Sequence, residues 1–211
     1  TVDYRGWHIV TAPPPSSGGV ALAEILNILG GYDLSKYDRV HQIHLTVEAM
    51  RRAYRDRAAY LGDPDFVKMP IAELTSPLYA AGLRASIHPD KATPSDLLPG
   101  YMDTQQGTHT SHFSIIDKDG NLASGTQTVN LIFGSGFVVP GTGFVLNDEM
   151  DDFALVAGKP NAFGLVGNVN NAPGPRRRPL SSMSPSFVVG NDRIGVIGTP
   201  GGSRIITMVL E

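Results

Sequence analysis

The chain has 211 residues, 41% hydrophobic and 18% charged, enough for one large globular domain or two small ones around a buried core. Its 17 Lys and Arg against 20 Asp and Glu give a formal net charge of -3, which excludes a general electrostatic attraction for nucleic acid or an anionic membrane. Without cysteine there is no disulfide framework, thiolate metal site or cysteine nucleophile, and no apolar run approaches the roughly 18 residues that a membrane-crossing helix needs.

A short strand is predicted over residues 7–11, closed by the loop Pro13-Pro14-Pro15-Ser16-Ser17-Gly18-Gly19. From about residue 18 to 88 the pattern is helical. Leu22, Ile25, Leu26 and Leu29 recur at the i, i+3, i+4, i+7 spacing of one buried helix face, and Gly30-Gly31 supplies a stop. A second helix is predicted over about residues 40–61, with Ile43, Val47, Met50 and Tyr54 inward and Arg51, Arg52, Arg55 and Arg57 mostly outward. Ser76-Pro77, a cap followed by a first-turn proline, opens a third over residues 78–87. Residues 88–110 have no periodicity and read as an extended exposed connector. Beyond them the pattern turns to strands. Residues 112–116 run into the turn Asp117-Lys118-Asp119-Gly120 and return over 122–129, and residues 187–189 and 194–197 flank the turn Gly190-Asn191-Asp192. A last helix is expected to open at Gly201-Gly202-Ser203. Helices followed by hairpin-joined strands predict an α+β layered fold. The chain starts on Thr1 and stops at Val209-Leu210-Glu211 without a closing signal, so it is expected to be a stretch of something longer.

Several motifs that invite a chemical reading do not sustain it. His41 and His44 lie three apart on a helix, but no third ligand at suitable spacing accompanies them, so no metal site is expected. The loop from Pro14 to Val20 lacks the Lys-Ser/Thr of a phosphate loop and the three-glycine dinucleotide spacing. Asp63-Pro64-Asp65 reads as a turn and Arg176-Arg177-Arg178 as a solvated loop. The absence of a Gly-x-Ser-x-Gly elbow weakens a Ser-His-Asp hydrolase. What remains is a polar set in the second half: Thr110-Ser111-His112, Thr128-Val129-Asn130, the run from Asn147 to Asp152, Ser181-Ser182 and Pro200-Gly201-Gly202-Ser203. Each alone suits a strand surface, a turn or a helix entry. Together they supply a hydroxyl nucleophile, acids and amides for an ammonium, hydroxyls for a carboxylate and glycine N–H groups for an oxyanion.

On these residues the chain resembles the γ-glutamyltranspeptidase (glutathione hydrolase) family of N-terminal-nucleophile enzymes, over essentially its whole length. The resemblance is carried in the first half by the Pro13 to Gly19 loop and Leu61-Gly62-Asp63-Pro64-Asp65-Phe66. In the second half it rests on Thr110-Ser111-His112-Phe113-Ser114, Phe133-Gly134-Ser135-Gly136, Pro140-Gly141-Thr142-Gly143, Leu146 to Phe153, Arg178 to Pro185 and Pro200 to Ile205. It implies a four-layer αββα sandwich of the N-terminal-nucleophile hydrolase type, present in part. Residues 1–109 would be the end of a large subunit and 110–211 the beginning of a small, β-rich catalytic one. The two would associate as a heterodimer after autocleavage at His109-Thr110.

Residue by residue, the resemblance implies Thr110 as nucleophile, with Thr128 hydrogen-bonded to it. The chemistry is sound: a threonine hydroxyl is a poor nucleophile, and the α-amine freed by cleavage, with a pKa of about 7.7–8.0, can serve as its base. Asn130, two residues beyond Thr128 and expected on the same strand face, would join Glu149 and Asp152 around the substrate α-ammonium. Ser181 and Ser182 would hold its α-carboxylate, and Gly201 and Gly202 would form the oxyanion hole. Ser111 stands where the family commonly has a second Thr, and Asp148 where it often has Asn. Residues 154–167 look like a lid, with Phe163 as its aromatic gate. An arginine that pairs with the α-carboxylate would lie upstream of the Pro-rich loop, outside this chain. The implied substrates are glutathione and related γ-glutamyl compounds, with water, an amino acid or a peptide as acceptor. No metal or organic cofactor is implied, and the location would be periplasmic or extracellular. The rival readings are a glutaryl or cephalosporin acylase of the same superfamily and a binding or scaffold protein that never matures.

Overall fold

A computed structural model describes residues 1–100 and 110–211. Two hairpins of the N- and C-terminal halves share one antiparallel sheet. β1 (Val2–Tyr4) pairs with β2 (Trp7–Thr11), β2 with β5 (Ser186–Val189), and β5 with β6 (Ile194–Ile197), in the order β1-β2-β5-β6. The β2–β5 register sets His8 opposite Val189 and Thr11 opposite Ser186, so the two halves of the chain are joined by a backbone ladder. A separate hairpin, β3 (Thr110–Ile116) and β4 (Leu122–Thr128), lies beside β6, where Ser124 Oγ donates to the Ile197 carbonyl at 3.2 Å. Its turn is tied by Asp117 Oδ1, which accepts from the amides of Asp119 and Asn121.

The helical layer is built on α1 (Gly18–Leu29), which is buried on nearly every side and packs against α2 (Arg39–Tyr60) and α4 (Pro77–Ala85), while also touching β1, β2 and α5 (Ile205–Leu210); a short α3 (Ile71–Leu74) precedes α4. Its first residue has to be glycine, because a Cβ on Gly18 would sit 2.0 Å from Ser184 Oγ. Asp38 caps α2 by accepting from the His41 amide, and Ser76 caps α4 by accepting from that of Tyr79, with Pro77 at the first turn.

The facing of α2 differs from the sequence expectation at Ile43 and Val47 and at two arginines, while Tyr54 is buried as expected. Ile43 and Val47 are 49% and 44% exposed, whereas Arg52 and Arg57 are 1% and 4% exposed. The buried stripe runs instead through Leu45, Ala49 and Ala53, and the small side chains of the two alanines admit α1 closely. The charges it carries inward are paired. Glu48 Oε2 accepts from Arg52 at 2.7 Å and from Thr93 Oγ1 at 2.5 Å, and Glu48 Oε1 accepts from Arg51 at 2.6 Å. Burial works against the Glu48 charge, and these bonds outweigh it, holding its pKa at about 2. Asp56 takes bonds from Arg55 and Tyr79, both at 2.7 Å, and burial together with its charge raises Glu24 on α1 to about 9, a protonated partner across the helix contact.

Arg178 lies in an exposed loop as expected, but it is ion-paired rather than free. Its guanidinium spans Asp63 at 2.6 Å and Asp65 at 2.7 Å, its amide donates to Asp63 Oδ2 at 2.8 Å, and the Asp63 side chain is almost wholly buried. Arg178 holds the Asp63 carboxyl at about 2 against the cost of burial. Asp63-Pro64-Asp65 does form the expected turn, closed by the Phe66 amide on the Asp63 carbonyl.

Candidate active site

Thr110 opens β3 directly opposite Thr128, the last residue of β4, and its Oγ1 donates to Thr128 Oγ1 at 3.3 Å. The preceding residue, His109, lies outside the described residues, so the expected cleavage bond does too. Asn130 is not on the strand with Thr128, as its spacing suggested. The ladder ends at Thr128, and Asn130 turns into a left-handed conformation with φ 73°. Two contacts hold it there: its amide donates to Thr128 Oγ1 at 2.9 Å, and its Nδ2 to the Asp148 carbonyl at 3.2 Å. Asp148 also accepts from the Leu131 amide through Oδ1. The carboxylate at that position therefore pins the turn that brings Asn130, 2% exposed, back toward Thr110.

Glu149 and Asp152 share one turn of 3-10 helix, which places their carboxyls side by side. Burial, and then the neighbouring Glu149 charge, raise Asp152 to about 7; burial likewise raises Glu149. Two neighbouring carboxyls whose ionisation is held back by burial and by each other suit a cation, which would restore their charges. Asn161 Nδ2 donates to Asp152 at 3.2 Å while Asn161 Oδ1 accepts from the amides of Phe163 and Leu165, so the segment expected as a lid is folded onto the acidic turn. Phe163 is buried in the main hydrophobic core and faces Gly202.

Ser181 and Ser182 are positioned from the first half of the chain. Ser181 forms a parallel bridge with Ser16, and its carbonyl accepts from the amide and hydroxyl of Ser17 at 2.8 and 2.7 Å. Ser16 Oγ donates to the Met183 carbonyl at 2.6 Å. Behind Ser182, Arg57 donates to Ser182 Oγ at 3.2 Å, to Ser17 Oγ at 2.9 Å and to the Leu180 carbonyl at 3.3 Å. The roles of Arg57 and of the Ser16-Ser17 loop are missing from the sequence reading. One signal was available: Leu45, Ala49, Ala53 and Arg57 recur every four residues, an apolar stripe that ends on the arginine.

Gly202, at φ +56°, opens the 3-10 turn Gly202–Arg204 that leads into α5, and a Cβ there would meet the Phe163 ring at 2.7 Å. Glycine is thus required both by backbone and by space. The hydroxyl of Tyr54 donates to the Ser203 carbonyl and anchors this turn to α2.

These groups converge. Thr110, Thr128, Asn130 and the Glu149/Asp152 pair line one cleft with Ser181, Ser182, Gly202 and Phe163, joined by Met183 and Ile205. Gly201 is buried next to it without lining it. The space left is about 20 Å³, the room of roughly one water, so the arrangement is closed around its polar groups. Hollows of about 460, 480 and 590 Å³ open elsewhere and contain none of the predicted site residues. His41 and His44 are apart from the cleft: His41 bonds Asp38 and Asp90, and His44 bonds the His88 carbonyl.

The sequence pattern of the family described as gamma-glutamyltranspeptidase matches residues 1–211, the whole chain. The chain belongs to the gamma-glutamyltranspeptidase family. It is 54% identical over 211 residues to a glutathione hydrolase proenzyme of Pseudomonas sp. strain A14 and 47% identical over 213 residues to that of Escherichia coli K12, covering 99% of this chain and 37% of each relative. The chain therefore spans just over a third of the length of these family members. The fold is an N-terminal-nucleophile hydrolase fold in part: the crystal structure of cephalosporin acylase from Bacillus halodurans superposes with a TM-score of 0.74 at 30% identity, over 97% of this chain and 34% of that one. Among the described residues no helix is long and apolar enough to cross a membrane.

Proposed function

We propose that the whole protein is a γ-glutamyl transferase and hydrolase that acts on glutathione and related γ-glutamyl amides, matured by cleavage between His109 and Thr110 into two associated subunits. The observation that carries this reading is the convergence on one small cleft of a threonine pair, an acidic pair and a serine pair. A γ-glutamyl group presents a carbonyl, an ammonium and a carboxylate at matching positions. Thr110 Oγ1 attacks the γ-carbonyl carbon while its proton passes to the new α-amine, with Thr128 orienting the hydroxyl. Negative charge gathers on the carbonyl oxygen, where the N–H groups of Gly201 and Gly202 receive it. The C–N bond then breaks, the departing amine takes the proton from the α-ammonium, and a γ-glutamyl ester of Thr110 remains. Water or an acceptor amine resolves the ester by the same route. Asn130, Glu149 and Asp152 bind the α-ammonium; Ser181 and Ser182 donate to the α-carboxylate. No step calls for a metal or an organic cofactor. By the same resemblance the protein works in the periplasm or outside the cell.

In vitro, the purified whole protein is expected to cleave itself at Thr110 and to release p-nitroaniline from γ-glutamyl-p-nitroanilide, with Thr110→Ala blocking both. Persistence of an intact chain without turnover would mean a non-maturing scaffold. The structural likeness to a cephalosporin acylase favours one alternative, an acylase for glutaryl side chains. A glutaryl group has no ammonium, so Glu149→Gln would leave that activity almost untouched while cutting γ-glutamyl turnover.

A further inference from the structure

Arg57 sits at 4% exposure at the end of the buried α2 stripe, and no carboxylate lies within ion-pair distance of it among the described residues. A guanidinium buried without a counter-ion is costly to the fold. It is retained where three acceptors from different parts of the chain meet in its fork: Ser17 Oγ, the Leu180 carbonyl and Ser182 Oγ. Because Ser182 Oγ accepts from Arg57, its own hydroxyl proton is left to donate toward the cleft it lines. The cleft is thereby polarised, with the Arg57-backed serine at one side and the Glu149/Asp152 carboxyls at another. Arg57 and Asp152 attract each other through space, so the buried cation stands between the acidic side of the cleft and Ser182.

We propose that Arg57 is a positioning and specificity-determining residue for the substrate α-carboxylate, acting through Ser182: by donating to Ser182 Oγ it sets that hydroxyl as a donor to the carboxylate, beside the upstream arginine that the resemblance implies. The inference rests on the γ-glutamyl reading of the cleft. It also gives the first-half chain, by way of α2, a direct part in reading substrate bound largely by second-half residues.

The test compares two chromogenic substrates on the whole, matured protein: γ-glutamyl-p-nitroanilide and 4-aminobutyryl-p-nitroanilide, which is the same group without its α-carboxylate. Arg57→Lys keeps a charge but cannot reach all three acceptors. It is expected to raise KM for the γ-glutamyl substrate about tenfold, the size of one charge-assisted hydrogen bond, with kcat within about twofold. Its kcat/KM on the 4-aminobutyryl substrate should stay within about twofold, and Ser182→Ala added to Arg57→Lys should cost little more, since the two act as one unit. Equal losses on both substrates, or no change on either, would overturn the proposal. Should Arg57→Lys fail to fold or mature, Ser17→Ala removes the Nε acceptor from outside the cleft. Because the Ser17 hydroxyl also bonds the Ser181 carbonyl, the loss is read with and without Ser182→Ala: a selective loss of about threefold on the γ-glutamyl substrate that disappears in the Ser182→Ala background supports the proposal, and a loss that persists there, an unselective change or none overturns it. Absence of γ-glutamyl turnover in the unmutated protein would instead bring down the reading of the cleft itself, and this inference with it.

Discussion

Asp152 shows how a single carboxyl is tuned by its surroundings. Burial, followed by the Glu149 charge, lifts it from the ordinary value near 3.8 to about 7. A raised carboxyl favours its protonated form in the folded chain. Its contribution to stability is therefore fully present below pH 3.8 and is lost as pH rises through about 7. Binding of an ammonium has the opposite sign, since it needs the ionised acid. We expect KM for γ-glutamyl-p-nitroanilide to fall as pH is raised from 5 to 7. Asp152→Asn should flatten that fall and raise KM at pH 7 by about ten- to a hundredfold, the range of a lost charged hydrogen bond. Steady-state kinetics across the pH range check both; an unchanged pH slope in Asp152→Asn would assign the titration elsewhere. Residue identities in this cleft were legible in the sequence because they stand in short ordered motifs. The left-handed turn at Asn130 was not, because it depends on Asp148, eighteen residues away along the chain, reaching back to hold it.

At the scale of elements, the strands of the second half were legible nearly to the residue, since alternation and turn chemistry are local, whereas β1 and its hairpin with β2 were not foreseen. The 187–189 and 194–197 strands appear as Ser186–Val189 and Ile194–Ile197. The start and end of α2 were legible too, to within a residue, but its Asp38 cap and the facing of its first turns were not. Hydrophobicity alone pointed Ile43 and Val47 inward, whereas the face that packs is chosen by the small Ala49 and Ala53 and by partners for Glu48 and Arg52 that come from elsewhere in the chain. Substitution on the two faces distinguishes them. Ala49→Leu, at 0% exposure, should destabilise by about 1–3 kcal/mol through overpacking against α1. Ile43→Ser, on the exposed face, should stay within about 0.5 kcal/mol. Urea unfolding of the two variants measures the difference, and the reverse order would restore the sequence-based facing.

At the scale of the whole molecule, the two halves are held together by the β2–β5 ladder, the shared core around α1, and the Arg178 clamp on Asp63. The clamp matters beyond packing, since it anchors the segment that leads into Ser181 and Ser182. Asp63 is depressed from 3.8 to about 2 by Arg178, so its contribution to stability is present above pH 3.8 and lost as pH falls through about 2. Asp63→Asn should lower the thermal midpoint at pH 6, by about 2–4 °C for each kcal/mol lost at this size. The gap between variant and parent should narrow toward pH 2; calorimetry at the two values checks this, and a gap that widens in acid would refute the clamp. By itself the sequence determined the fold class, the three main helices and the second-half hairpins in their order, and the chemical inventory of the site, because propensity, turn residues and motifs are written in neighbouring positions. Only the tertiary structure decided which arginines are buried, how the Pro-rich loop holds the serines, and that Arg57 stands behind Ser182. Those contacts join residues more than a hundred positions apart, and their energies depend on burial and on partners that no local window contains.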